Sequence, residues 1–408
     1  MPTTALPHQD RQVILAVDLT AAGARAHRTP GAAVLRPFDG ERFVRLVRAA
    51  DQGLLDLVVL DEPFMLHPGR GRVSGRLDPA VAAARVAPLT SGIGLVAALD
   101  TMHLEPAHVA AAIAAVDRAS GGRSAWQVGC PAGVSPSDER WPVQAVADAA
   151  RVARTWDQDV SSGGAALDAE GRFRVDHDGV RFAVRRASTG QAALPQGRPP
   201  VVMRVRDERC ARIVGAVADV VRITVADPER ALALRKVLHD AATDAGRDPR
   251  ELRVLVEAYV VLGSERDSAH ARLAMVEALE GPDVGGGGLV VAGTPSDLAG
   301  VITDWVDGGL ADGFLLRPSA LEADLDAVVR GLVPGLQQRG LFRERRAARQ
   351  TLREALGLPG VPTAGRPNPV AARNGARAAG PGRTATRGPV GAARVPAPLH
   401  ASDLVTAR

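Results

Sequence analysis

Polar side chains gather directly behind, or inside, four short apolar runs of this chain. Asp61-Glu62 follow Leu57–Leu60, and Asp100-Thr101-Met102-His103 follow the run at 93–97. Gln127 lies inside the run at 125–128, with Cys130 and Arg140-Trp141 beyond it; Arg204 lies inside Val201–Val205, and Arg206-Asp207-Glu208 follow. Carboxylates, a hydroxyl, an amide and guanidinium groups in such places can orient and neutralise a polar ligand. A self-contained reactive centre is harder to assemble. Asp61 and Glu62 also read as a turn with a helix cap, so both readings stand for them. His103 and His108 miss the i, i+4 spacing of a helical metal pair, and Glu105-Pro106 starts a helix between them, so no metal site is expected. Cys130 precedes Pro131 and has no histidine partner in sequence. Gly285-Gly286-Gly287-Gly288 lacks the Lys-Ser/Thr of a phosphate loop and reads as a flexible connector, and no GxGxxG follows any apolar run. The pattern favours a cofactor that brings its own reactivity, or no catalysis at all.

Such clusters need a scaffold that brings the ends of several runs together. Eight runs, at 13–17, 57–60, 93–97, 125–128, 201–205, 220–225, 252–262 and 313–316, alternate with stretches of helical spacing. Phe43, Leu46, Val47, Ala50 and Leu54 set one such stretch; Val109, Ala112, Ile113 and Val116 set another. Asp39, Asp78, Asp227 and Ser319 stand where N-caps belong. Eight strand–helix units predict an α/β fold, a closed (β/α)8 TIM barrel, with an open doubly wound sheet as the competitor. In a barrel the four polar clusters share one rim, because chemistry collects where the strands end. An insertion at about 158–198 interrupts the rhythm. Its runs 173–175 and 180–184 flank Asp178-Gly179 and predict a hairpin that either covers the mouth or decorates an edge.

Of the 408 residues, 46% are hydrophobic, and 50 basic side chains face 46 acidic ones. The excess sits at the end: from Gly357 onward there are seven arginines and one acid, Asp403. The barrel, expected over 11–356, is left slightly acidic, so the basic balance is no argument for nucleic-acid binding. The tail, 357–408, is rich in Pro, Gly, Ala and Arg and is expected to be disordered. No apolar run is long enough for a membrane span. Residues 1–10 lack a basic segment followed by an apolar one, so a secretory signal is not expected. Two cysteines, Cys130 and Cys210, suit a reducing cytoplasm.

Several local motifs are specific in combination: the strand IGLVA at 93–97, the helix start Glu105-Pro106 with His108 and Ala110, the turn SGGR at 120–123, and LQQRGLFR at 336–343 followed by LREALGL at 352–358. With them the chain resembles the bacterial luciferase-like monooxygenases from about Val13 to Leu358. It is most similar to the branch containing nitrilotriacetate monooxygenase, dibenzothiophene-sulfone monooxygenase and the pristinamycin synthase oxygenase subunit. The resemblance implies a (β/α)8 barrel that takes reduced FMN from a separate NAD(P)H-dependent flavin reductase and uses O2 to oxygenate a small organic substrate. It also brings a homodimer as the assembly such relatives commonly form. Matched position by position, the flavin contacts fall on Asp61, Glu62, Thr101, Gln127, Ser137, Trp141, Arg204, Arg206 and Asp207. After the fifth barrel strand the family pattern Gln-Ala-Gly-Ser-Ser-Glu is replaced by Met203-Arg204-Val205-Arg206-Asp207-Glu208. Val205 is branched where the family has glycine, and Asp207 would repel a phosphate. Arg204 and Arg206 share one strand face. If that face points to the mouth, a bidentate phosphate clamp replaces the serines; if it points to the outer helices, flavin affinity is weakened. A diverged, non-catalytic ligand-binding or regulatory barrel and an oxidoreductase using the deazaflavin F420 are the alternatives.

Overall fold

The computed structural model describes residues 12–20, 40–60, 78–101, 104–129, 140–161, 172–178, 183–189 and 194–361. Eleven strands are formed among these residues: β1 (Ile14–Asp18), β2 (Leu57–Leu60), β3 (Gly94–Leu99), β4 (Ser124–Val128), β5 (Arg172–Asp178), β6 (Ala183–Thr189), β7 (Val201–Val205), β8 (Val220–Ile223), β9 (Arg253–Leu262), β10 (Leu289–Gly293) and β11 (Gly313–Pro318). β1, β2, β3, β4, β7, β8, β9 and β11 pair in that order, all parallel, and β11 returns to β1. The sheet is closed, as eight strand–helix units predict. Its strands are apolar and buried on both faces because one face lines the interior and the other meets helices.

The two faces give two apolar clusters. Ile14, Ala16, Leu57, Val59, Val96, Ala125, Val202, Val220, Leu255 and Leu315 fill the interior. Their strand neighbours pack outward against the helices, which include α1 (Gly40–Gln52), α2 (Pro79–Val86), α3 (Pro106–Ser120), α4 (Arg140–Ser161), α5 (Glu208–Val214), α6 (Pro228–Asp244), α7 (Arg266–Glu280), α8 (Pro295–Asp307) and α9 (Leu321–Ala327). Two further short helices follow, α10 (Val333–Gln338) and α11 (Leu352–Ala355). Leu352, Leu356 and Leu358, on and just after α11, join the interior cluster and close the amino end of the barrel. Gly94 makes room for this stopper: a Cβ there would stand 2.6 Å from Leu352 Cδ1 and 2.7 Å from Leu57 Cδ2.

An aspartate immediately precedes three of the strands. Asp56 Oδ2 accepts the Leu15 N–H (2.8 Å), Asp219 Oδ2 that of Val201 (2.9 Å) and Asp312 Oδ2 that of Val254 (2.8 Å). Each carboxylate thereby captures the N–H of a neighbouring strand, and each pairs with an arginine: Arg343, Arg353 and Arg235 respectively. Arg353 ties the stopper to Asp219, and Arg253 donates to the Leu356 carbonyl (2.7 Å).

The structure departs from the sequence reading at three places. A ninth strand in the barrel sheet, β10, lies in a stretch read as following a flexible connector; it pairs with residues 258–262 of β9, continuing the edge that β8 occupies along 253–256. The inserted hairpin is present, but its strands run 172–178 and 183–189, because backbone pairing rather than apolar alternation sets their length. Asp78 and Asp227 are N-caps as expected. Ser319 is not: its hydroxyl accepts from Tyr259, while the Ala320 N–H at the start of α9 donates to Asp324. Asp39 and the part of the tail beyond residue 361 lie outside the described residues.

Candidate active site

The carboxyl ends of the strands carry the polar groups. On β7, Met203 and Val205 belong to the outer layer, so alternation turns Arg204 inward. Arg204 and Arg222 are register partners on β7 and β8, and Glu257 on β9 pairs with both: Arg204 Nε donates to its Oε1 at 2.7 Å, and Arg222 Nη2 stands 3.0 Å from the same oxygen as an ion pair. Arg222 Nη1 donates to Gln127 Oε1 on β4. A buried amide, carboxylate and guanidinium thus join four wall strands. Burial alone would push the Glu257 carboxyl up, but Arg222, Arg204 and Arg317 around it hold it below the usual carboxylate range. The Arg222 side chain is 0% exposed and that of Glu257 3%, whereas Arg204 keeps 27% of its surface in solvent. Arg204 is therefore the member of this network that can meet a ligand while staying anchored.

The other expected contacts divide. Thr101, buried after β3, donates to Asp148 Oδ2 (2.7 Å) on α4, and Asp148 also receives Gln144 (2.9 Å) and Arg151 (2.8 Å). That network fixes the end of β3 against a helix. Trp141, half-buried near the start of α4, packs against the outer apolar layer. Arg206 is exposed just past β7, and its carbonyl accepts from Arg230 (3.1 Å). Asp207 accepts the Cys210 N–H (2.8 Å) as the N-cap of α5. Asp61, Glu62 and Ser137 lie outside the described residues, as do His67, His103 and Cys130. The structure brings Gln127 and Arg204 together; Arg222, Glu257 and Arg317 are the partners that the sequence reading passed over. Their signal is a charge inside an apolar strand, Val-Val-Arg-Ile and Leu-Val-Glu-Ala, since such a charge needs a partner inside the fold.

Further out on the same rim, Arg317 Nη1 donates to the Gly285 carbonyl (3.2 Å), and Tyr259 donates to Ser319 (2.9 Å). Thr224, one residue past β8, has a buried hydroxyl with no hydrogen-bond partner among the described residues. Among the described residues no group of three or more His, Cys, Asp or Glu could hold a metal ion, and no helix is long and apolar enough to cross a membrane.

An all-parallel eight-stranded barrel with guanidinium groups at the carboxyl end of its fifth and sixth wall strands narrows the ancestry, and residues 16–311 match the luciferase-like monooxygenase family. The chain belongs to that family. Among curated members, it is 23% identical to N-acetyl-S-(2-succino)cysteine monooxygenase of Bacillus subtilis (strain 168), over 85% of this chain and 97% of that protein. It is 25% identical to dibenzothiophene-sulfone monooxygenase of Rhodococcus erythropolis, over 78% of this chain and 90% of that protein. The latter belongs to the branch that the sequence motifs resemble. Among solved structures, EDTA monooxygenase from Chelativorans sp. BNC1 superposes with a TM-score of 0.73 at 23% identity, covering 86% of this chain and 99% of that one. That likeness carries the barrel fold of this luciferase-like protein.

Proposed function

We propose that this luciferase-like protein is the oxygenase component of a two-component flavin monooxygenase. It takes reduced FMN from a separate NAD(P)H-dependent flavin reductase and uses O2 to oxygenate a small organic substrate. The observation that carries this reading is the inward turn of Arg204, whose partly exposed guanidinium is held by buried Glu257 at the mouth of a barrel of this family. The donor set fits a phosphate-bearing nucleotide: a guanidinium fork suits a phosphate oxygen pair, and the unpartnered Thr224 hydroxyl supplies a neutral donor on the same rim. When bound, reduced FMN supplies the electrons with which O2 is split, one oxygen atom going to the substrate and the other to water.

The chain's own residues bind and shield. Arg204, with exposed Arg206 beside it, presents positive charge to the phosphate, and Glu257 fixes the direction of the Arg204 fork. Gln127, held by Arg222, ties β4 into the same network. Below them the interior cluster from Ile14 to Leu315 keeps water from the barrel's centre, as oxygen chemistry at a reduced cofactor demands.

Anaerobic titration with reduced FMN, and aerobic titration with FMN, tests the reading by fluorescence quenching. Saturable binding of the reduced form is expected. Absence of binding by either form overturns it, and preferential binding of F420 moves the assignment to a deazaflavin oxidoreductase. With a supplied reductase, substrate-dependent O2 consumption separates an oxygenase from a non-catalytic barrel.

A further inference from the structure

Past its last paired residue, β8 continues as Thr224-Val225. Val220 lines the barrel interior and Arg222 reaches inward to Glu257, while Val221, Ile223 and Val225 pack outward; alternation puts Thr224 on the inner side. Its Oγ1 is shut from solvent and meets no donor or acceptor among the described residues. A buried hydroxyl left in this state loses its hydration with nothing in return. Valine has nearly the same shape, carries no such cost and is the commonest neighbour in this strand, so the hydroxyl calls for a partner that the folded chain does not supply.

What covers Thr224 is built rather than loose. Its Cγ2 faces Gly288, where a Cβ would stand 3.2 Å from that methyl and 3.4 Å from the Glu257 carbonyl oxygen. The glycine run turns back through Gly286 (φ 63°) and Gly287 (φ 77°), a left-handed pair that side chains disfavour. Asp283 Oδ1 holds the Gly287 N–H (2.9 Å), Arg317 holds the Gly285 carbonyl (3.2 Å), and Val284 is buried against Tyr259 and Val261. The stretch 283–288, a flexible connector by its sequence, is a pinned turn at the edge of the rim. Thr224 thus packs against this turn on the same inner side of its strand as Arg222, whose register partner on β7 is Arg204.

We propose that Thr224 is a ligand-contacting residue whose hydroxyl donates to an oxyanion, a phosphate or carboxylate oxygen, bound at the Arg204 side of the pinned turn. The inference rests on the reading that this mouth takes an anionic cofactor and a small substrate, and it names the group that reads their charge-bearing oxygen. Two sources share this chemistry: the phosphate of the flavin nucleotide and a carboxylate of the substrate.

Calorimetric binding by the full chain, with FMN, riboflavin and succinate as probes, tests it in wild type, Thr224→Val and Thr224→Ser. The valine variant is expected to melt at or above the wild-type temperature and to lose about tenfold in affinity for the oxyanion probe, with serine restoring most of the loss. Weakened FMN binding with riboflavin unaffected assigns the contact to the cofactor phosphate. Weakened succinate binding with FMN unaffected assigns it to a substrate carboxylate. Unchanged affinities for FMN and succinate in Thr224→Val overturn the proposal, as does a wild type that binds neither. A wild type that ignores FMN yet binds succinate in a Thr224-dependent way overturns the flavin reading alone.

Discussion

Arg204 is anchored by buried Glu257 while its side chain keeps 27% of its surface in solvent. Its Nε bond to Glu257 (2.7 Å) fixes the direction of the planar fork. Replacing it with alanine leaves Glu257 still paired with Arg222, so the fold is expected to tolerate the change, while on the proposed reading the phosphate loses a charge-assisted contact. Arg204→Ala is expected to weaken FMN binding by about tenfold or more with little change in melting temperature, and Arg204→Lys to recover only part, because an ammonium lacks the fork. Equal FMN affinities in titration would remove Arg204 from the site. Asp117 is a residue of another kind. Its carboxylate, at the end of α3, accepts from Ser124 and Gln196, but burial pushes its pKa up to about 6. A folded-state value above the unfolded one means that the protonated form favours folding: that contribution is complete below about pH 4 and is lost as pH rises through about 6. Its size is about 3 kcal/mol by linkage. Asp117→Asn keeps an acceptor oxygen and has no charge to bury, so urea unfolding at pH 5 and pH 8 should show a smaller pH dependence than wild type. Identical pH profiles would contradict this. Neither role could be read from residue type. Arg204 was legible as a candidate because it ends a strand, but its direction depended on which neighbours packed outward, and Arg222 and Glu257 were hidden within runs that read as plain core.

Among the elements, the strands were the most legible part of the chain. Strands buried on both faces leave unbroken apolar runs, and all eight wall strands coincide with such runs. β10 escaped notice because Leu289 and Val290 stay partly exposed and four glycines precede them, so its signal is that of a loop. The aspartates before β2, β8 and β11 were equally invisible, since an acid before a strand looks like any turn residue. Their function emerges only with the neighbouring strand in place. Asp219 shows what such a position holds: it receives the Val201 N–H and pairs with Arg353, whose side chain is itself buried. Asp219→Ala leaves that guanidinium only the Pro359 and Arg198 carbonyls, without its countercharge, and frees the start of β7, an expected loss of about 3–5 kcal/mol in denaturant unfolding. Hydrogen exchange should rise first at the amides around 201 and 352–358. A loss under about 1 kcal/mol would show that the pair is not what joins the stopper to the wall.

For the molecule as a whole, the stopper makes the amino end part of the core. Leu356 lies within the interior cluster although it comes nearly last among the described residues. Leu356→Ala is expected to cost about 2–5 kcal/mol in urea unfolding, the loss typical of a central core leucine rather than of a chain end. A change below about 0.5 kcal/mol would mark the segment as dispensable. The LREALGL motif had been legible as a family trait, but its work as a stopper was not, because nothing local distinguishes a helix that caps a cylinder from one that lies on a surface. Among the described residues, the base of this vessel is plugged by leucines of the stopper. On the proposed reading, guests enter by the rim where Arg204 and Thr224 stand, and a bulky one lodged there stands in the path of a smaller one that follows. Turnover on that reading would be queued: the order of arrival and departure would follow from the shape of the container before any chemistry takes place.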